Sequence, residues 1–96
     1  MRIATLNIGK QITIIESLLG FAKVHSEKMG NFESIISKLD TIELVGLSKP
    51  TKKIKYEKML LNNGFSANKI YWCDNAGFEG NNSDVLNYRI EYKKCE

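Results

Sequence analysis

The sequence has little of the residues that build metal centres and disulfide frameworks. One histidine and two cysteines occur among its 96 residues. A structural zinc site takes four Cys or His ligands, and a disulfide framework takes several cysteine pairs, so the composition excludes both. We expect Cys73, which lies in an apolar segment, to be a buried thiol and Cys95 to be an exposed one.

Long apolar runs are absent as well. No run approaches the roughly 18 residues that a membrane span requires, and the residues after Met1 lack the charged and apolar regions of a signal peptide. Hydrophobic residues make up 43% of the chain and charged residues 26%, which is ordinary for one globular domain over residues 1–96. We therefore expect a cytoplasmic protein that makes no membrane contact.

Hydrophobic periodicity predicts seven elements. Apolar residues that are β-branched, continuous or alternating predict four strands, at 2–8, 42–47, 70–73 and 88–92. Apolar residues three and four positions apart predict three helices, at 10–28, 32–39 and 51–63. Two interpretations of the first helix stay open, because Gly20 weakens it and residues 12–15 could instead pair as a second strand.

The resulting order, β-α-α-β-α-β-β, predicts the fold class. Strands that alternate with helices favour a largely parallel sheet with the helices packed on it and right-handed crossovers. The last strand alternates polar and apolar residues, which suits an antiparallel strand at the edge of the sheet. We therefore expect a small α/β single domain, with Trp72 in its core.

Polar residues stand at the ends of three predicted strands. Asn7 is at the end of the first, Ser48 and Lys49 follow the middle one, and Asp74 and Asn75 follow the third. In open parallel sheets, ligands bind at the carboxyl ends of the strands. The sequence therefore predicts a phosphate or metal site where these strand ends meet.

One segment of the chain has the pattern of a known family. Within residues 32–75, a strand is followed by a Lys-Pro pair, a helix with a tyrosine and an apolar pair, a glycine turn, and a strand that ends in Asp-Asn. The residues concerned are Lys49-Pro50, Tyr56, Met59-Leu60, Gly64 and Asp74-Asn75. In this pattern the segment resembles the C-terminal half of haloacid-dehalogenase-like phosphatases.

The resemblance implies a phosphoryl- and magnesium-binding site. Asn7 and Lys49 would bind the phosphoryl group, and Asp74 and Asp84 would bind Mg²⁺, since a hard cation takes carboxylate oxygens. The family's nucleophilic aspartates should end the first strand, but no acidic residue precedes Glu16. Without that carboxylate no aspartyl-phosphate forms. We therefore expect no catalysis and no cofactor, with a reduced phosphoryl-binding domain or phosphatase as the alternative.

The segment around Pro50 is rich in lysine. Lys49, Lys52, Lys53, Lys55 and Lys58 lie within ten residues in which Glu57 is the only acid. On a helix they cover more than half of the circumference, so part of them faces solvent. Such a cluster binds phosphate backbones with an affinity that falls with salt, although a solvated helix face explains the same residues. The net charge of only +3 does not decide between the two.

Residues 74–84 form a loop rich in glycine and asparagine. Turn chemistry explains these residue types, but a loop of this length in a small domain is more often functional than not. We expect Phe78 and Glu79 to contact a partner.

The features together predict a noncatalytic small binding protein. It would be an inhibitor or accessory factor, of the kind that mobile elements encode. Its partner would be a protein, with nucleic acid as the alternative, held by the loop and the lysine-rich helix.

Overall fold

The computed structural model of the chain describes residues 2–9, 12–16, 22–25, 29–75 and 85–95. The predicted contact residues Phe78 and Glu79 and the predicted metal ligand Asp84 lie outside these ranges. The described elements are, in chain order, β1 Ile3–Ile8, β2 Ile12–Glu16, β3 Ala22–His25, α1 Met29–Ile36, β4 Thr41–Ser48, α2 Pro50–Asn62, β5 Phe65–Asn75 and β6 Leu86–Lys94.

The six described strands form one mixed sheet in the order β3-β2-β1-β4-β6-β5. β1 and β4 are parallel, and the other neighbouring pairs in this order are antiparallel. The prediction of a largely parallel sheet is therefore wrong. The described part of the domain consists mainly of strands, with two helices rather than three.

The main error lies in residues 10–28. β2 pairs with β1 as an antiparallel hairpin, with Ile14 opposite Leu6 and Ile12 opposite Ile8, and β3 then pairs with β2. Apolar residues at positions 12, 14 and 15 fit a helical and a strand period equally, so tertiary pairing decides. The alternative interpretation of 12–15 as a strand is confirmed.

The second error concerns the edge of the sheet. β6 is antiparallel as predicted, but it lies between β4 and β5, and β5 is the outer strand. β5 is also much longer than predicted, with 11 residues, of which Phe65 is buried and all others are exposed. Cys73 is among the exposed residues, so the prediction that it is buried is wrong, whereas Cys95 is exposed as expected.

One face of the sheet packs against both helices, and we call it the covered face. β4 and β6 contribute Leu44 and Ile90, α1 contributes Ile36, and α2 contributes Leu60, each with at most 3% of its surface exposed. Burying a large apolar side chain stabilises a fold by roughly 1.5–3 kcal/mol. The sheet residues of this core are Ala4, Leu6, Ile8, Ile14, Ile42, Leu44, Phe65, Tyr88, Ile90 and Tyr92.

α2 lies close to the range that the sequence predicts. Pro50 is in its first turn, where the missing N–H costs no hydrogen bond. Asn63 donates from Nδ2 to the carbonyl of Met59 over 2.8 Å, and Gly64 follows with φ of 88°, which glycine adopts without strain. Among the described residues, no helix has the length and apolar character needed to cross a membrane.

Candidate binding site on the open face of the sheet

The face of the sheet opposite the helices presents alternate residues of the same strands, and we call it the open face. The register places Asn7 beside Val45, Val45 beside Arg89, and Arg89 beside Trp72. These four side chains therefore form one row across β1, β4, β6 and β5. Directly opposed side chains in such a row start about 5 Å apart, so a ligand on this face would contact several of them at once.

A β-bulge adds a second aromatic ring to this row. β5 pairs with β6 at Ile70 opposite Ile90 and again at Trp72 opposite Arg89, so Tyr71 is the extra residue. A bulge of this kind sets two residues against one on the neighbouring strand. The guanidinium carbon of Arg89 is 5.4 Å from the centroid of the Tyr71 ring and 5.6 Å from that of Trp72.

Two cations, Arg89 and Lys69, lie beside these rings. Arg89 Nε lies 2.6 Å from Glu43 Oε1, and Lys69 Nζ lies 4.8 Å from the centroid of the Tyr71 ring. The attraction of a cation to a ring face contributes about 0.5–1 kcal/mol at exposed sites. The rings nevertheless stay accessible, since Tyr71 is 44% and Trp72 40% exposed. We call Lys69, Tyr71, Trp72 and Arg89 the aromatic platform.

An open pocket of about 380 Å³ lies next to the platform, and Trp72 forms part of its wall. The amides of Asn7 and Asn87 and the apolar side chains of Val45 and Leu47 also line it. An aromatic wall, apolar contacts and a small number of amides are the usual composition of sites that bind small organic groups.

Two hydrogen bonds define the rim of the pocket at the end of β1. Asn7 Oδ1 accepts from the N–H of Gly9 over 2.8 Å, which leaves the side-chain NH₂ group of Asn7 as a donor. Lys52 Nζ donates to the carbonyl of Gly9 over 2.7 Å. Because Gly9 lines the pocket, the ammonium group of Lys52 lies one hydrogen bond away from a lining residue.

Gly46 and Tyr88 lie beneath the pocket. A Cβ atom on Gly46 would lie 2.8 Å from Tyr88 Oη, so glycine is what leaves room for the tyrosine ring. The hydroxyl groups of Tyr88 and Ser48 share a hydrogen bond of 2.8 Å. Burial raises the pKa of Tyr88, so the hydroxyl stays neutral at physiological pH. This layer supports the pocket from the covered face without adding charge.

The residues predicted to bind phosphate and metal meet only in part. β1 and β4 are parallel neighbours, so Asn7 and Lys49 stand at the same edge of the sheet. Asp74 is exposed on β5, which β6 separates from β4, and two strand spacings amount to roughly 10 Å. Within the described ranges no group of three His, Cys, Asp or Glu side chains is placed to hold a metal ion. The phosphoryl and Mg²⁺ roles stay predictions.

The lysine-rich helix is present as α2, but its cations differ in their surroundings. Lys49 and Lys55 are exposed. Lys52 binds the Gly9 carbonyl, and Lys53 Nζ lies 3.2 Å from Glu57 Oε2. Part of the positive charge is therefore engaged within the fold, so the run is not one uniform free basic surface.

Sequence reasoning missed the aromatic platform. It placed Trp72 in the core, which is wrong, and did not single out Tyr71, Asn87 or Arg89. The available signal was the adjacency of Tyr71 and Trp72, because a regular strand with one buried face buries only one of two neighbouring rings. At least one of them therefore had to be exposed or bulged.

Comparisons of the chain with protein-family models, with curated proteins and with solved structures find no match. The resemblance of residues 32–75 to haloacid-dehalogenase-like phosphatases is neither supported nor opposed by them.

Proposed function

We propose that the chain is a noncatalytic binding domain that holds single-stranded nucleic acid on the open face of its sheet. The observation that carries this proposal is the pair of exposed rings, Tyr71 and Trp72, whose centroids both lie within 6 Å of the Arg89 guanidinium carbon, at 5.4 and 5.6 Å. Proteins bind unpaired bases by stacking them on aromatic rings and on guanidinium planes.

The geometry of Arg89 suits such stacking. Glu43 faces the guanidinium group from the side of β4, with Oε1 2.6 Å from Nε but not in hydrogen-bond geometry with it, and the two rings lie near it on the side of β5. A preorganised platform loses less conformational entropy when a ligand binds. The covered face already supplies the core, so these exposed rings contribute little to burial and remain available for a ligand.

The end of β1 supports a noncatalytic role. Asn7 stands where the resembled phosphatases would carry a nucleophilic aspartate, and its Oδ1 already accepts from Gly9. An amide oxygen engaged in this way is a poor nucleophile. Binding a single strand of nucleic acid requires no nucleophile.

Intrinsic fluorescence is the direct test, because Trp72 is the one tryptophan in the chain. We expect unlabelled single-stranded octanucleotides to quench its emission, and double-stranded competitors to do so far less. Stacking contributes about 1–3 kcal/mol per base, so Tyr71→Ala should weaken binding by about tenfold to a hundredfold. Anisotropy of a labelled octanucleotide would measure the same loss for Trp72→Ala.

Leu61→Ala is the matched control. Leu61 is also an exposed large apolar residue, at 53%, but it lies on α2, away from the open face. Its loss should leave the affinity unchanged. The proposal is wrong if single strands do not quench Trp72, or if Leu61→Ala and Tyr71→Ala have the same effect.

Ile70 favours a second candidate function, the binding of a protein partner. It is 64% exposed. It pairs with Ile90 and therefore lies on the side of the covered face, so its exposure is not explained by a role in the aromatic platform. The outer strand of a sheet pairs readily with an extended segment of another protein. The occupant would be an apolar β-strand of the partner that packs a side chain on Ile70.

Affinity capture at high salt separates this candidate from the first. The protein partner is established if a captured protein forms a stoichiometric complex with the chain when both are purified. That complex should be lost with Ile70→Thr and retained with Leu61→Thr. Retention of the same protein by Ile70→Thr would exclude β5 as its docking strand.

A further inference from the structure

Resting on the proposed function, we infer that the pocket beside Trp72 is a subsite for one nucleotide unit, with the base inside it and the phosphate at Lys52. Three groups of different chemistry meet there. Trp72 offers a π-face, Asn87 and Asn7 offer amides, and Lys52 brings a cation to the rim.

The base fits the walls of the pocket. Its flat faces would lie between the Trp72 indole and the apolar side chains of Val45 and Leu47, which line the same cavity of about 380 Å³. Bases that have left a stack are held in this manner, by an aromatic face and by hydrogen bonds along the edge of the base. The open mouth of the pocket leaves the sugar and phosphate outside.

The amides give the pocket the means to distinguish bases. Asn7 presents its NH₂ group, because its oxygen is engaged by Gly9, and it therefore favours an acceptor on the base. Asn87 lies two strands away on β6, opposite Leu47; it is exposed and offers both a donor and an acceptor. A side-chain amide that meets the edge of a base discriminates between bases, because the wrong base leaves a polar group unpaired.

Lys52 is the group that would meet the phosphate. An ammonium group has three donors, and the bond to the Gly9 carbonyl uses one of them. The others remain for phosphate oxygens at the rim. Lys55 lies three residues further along α2 and is exposed, but no contact connects it to the pocket, which makes it the matched control.

The experiment compares octamers of dA, dC and dT, together with the free mononucleotides, by Trp72 quenching at several salt concentrations. We expect the wild-type chain to prefer one base by about tenfold. Asn87→Ala should reduce that preference to less than about twofold while quenching persists. Lys52→Gln should lower the slope of log affinity against log salt by about one, Lys52→Arg should restore it, and Lys55→Gln should leave it unchanged.

The outcomes distinguish this subsite from the platform. Equal affinity for all three octamers, or the same salt slope for Lys52→Gln and Lys55→Gln, would overturn the subsite even where Tyr71→Ala still weakens binding. The absence of binding to every octamer would overturn the platform and the subsite together. If the wild-type chain binds a free mononucleotide and Asn87→Ala does not, the result would support the same pocket, with a free nucleotide as its ligand. Thermal melts of each variant confirm that it is folded.

Discussion

The two faces of this sheet are built from the same strands but differ in burial and in the side chains that they present. On the covered face, Leu44 and Ile90 are almost completely buried against the helices. On the open face, Leu47 is 48% and Trp72 40% exposed, and a guanidinium group lies against the tryptophan ring. Because side chains alternate along a strand, one residue can stabilise the fold while its neighbour remains free to bind a ligand.

The largest expected effect compares a residue of the covered face with a residue of the open face, both on β4. Leu44→Ala should destabilise the chain by about 2–5 kcal/mol, since a buried leucine leaves a cavity when it is truncated. Leu47→Ala, on the open face of the same strand, should change the free energy of unfolding by less than about 0.5 kcal/mol. Urea denaturation of both variants measures the difference. Equal losses would show that the open face also belongs to the core.

The next effect concerns the boundary between the two faces. In Gly46→Ala, the new Cβ atom would lie 2.8 Å from Tyr88 Oη. Overpacking of this kind costs about 1–3 kcal/mol. Tyr88→Phe removes that oxygen, at the expense of its hydrogen bond to Ser48, which contributes about 0.5–1.5 kcal/mol.

A double-mutant cycle makes this prediction specific. The double variant should be more stable than the sum of the two single losses predicts, because Tyr88→Phe removes the atom that the new methyl group meets. Strict additivity, measured by thermal unfolding, would mean that the contact between Gly46 and Tyr88 does not limit the space at this position.

Local sequence signals correctly predicted α2 and β4. Pro50 and Gly64 bound α2, and the unbroken apolar run at 42–47 predicted β4, because each signal depends on a few adjacent residues. The 10–28 segment failed because its apolar residues satisfy two periods. Only the pairing of Ile14 with Leu6 across the hairpin distinguishes them.

The candidate site was less predictable than the fold. The polar residues Asn7 and Lys49 do lie at the ends of neighbouring parallel strands, but the group that meets Asn7 at Gly9 is Lys52, which was predicted only as part of the lysine-rich helix. The platform was missed because it depends on the bulge at Tyr71 and on the position of β6 beside β5. Neither follows from periodicity, since both are relations between strands rather than within one.

The smallest expected effect tests the ion pair between Arg2 and Glu16 at the end of the covered face. Glu16 is only 5% exposed, and both of its carboxylate oxygens bind Arg2, with Nε at 3.1 Å from Oε2. The hydrogen bond from Arg2 lowers the pKa of Glu16. A lowered native pKa gives stability that is present above about pH 4.3, the unfolded value, and is lost as the pH falls through the native pKa.

Glu16→Gln should therefore destabilise the chain at pH 7, and the difference from the wild-type chain should shrink steadily below pH 4 in urea titrations. Glu43→Gln removes the corresponding carboxylate of the open face, where Arg89 is its partner at 2.6 Å. Exposed ion pairs contribute about 0–1 kcal/mol, so its cost should be the smaller of the two. A larger cost for Glu43→Gln would reverse the comparison, because the ion pair that orients the platform would then also hold the sheet together.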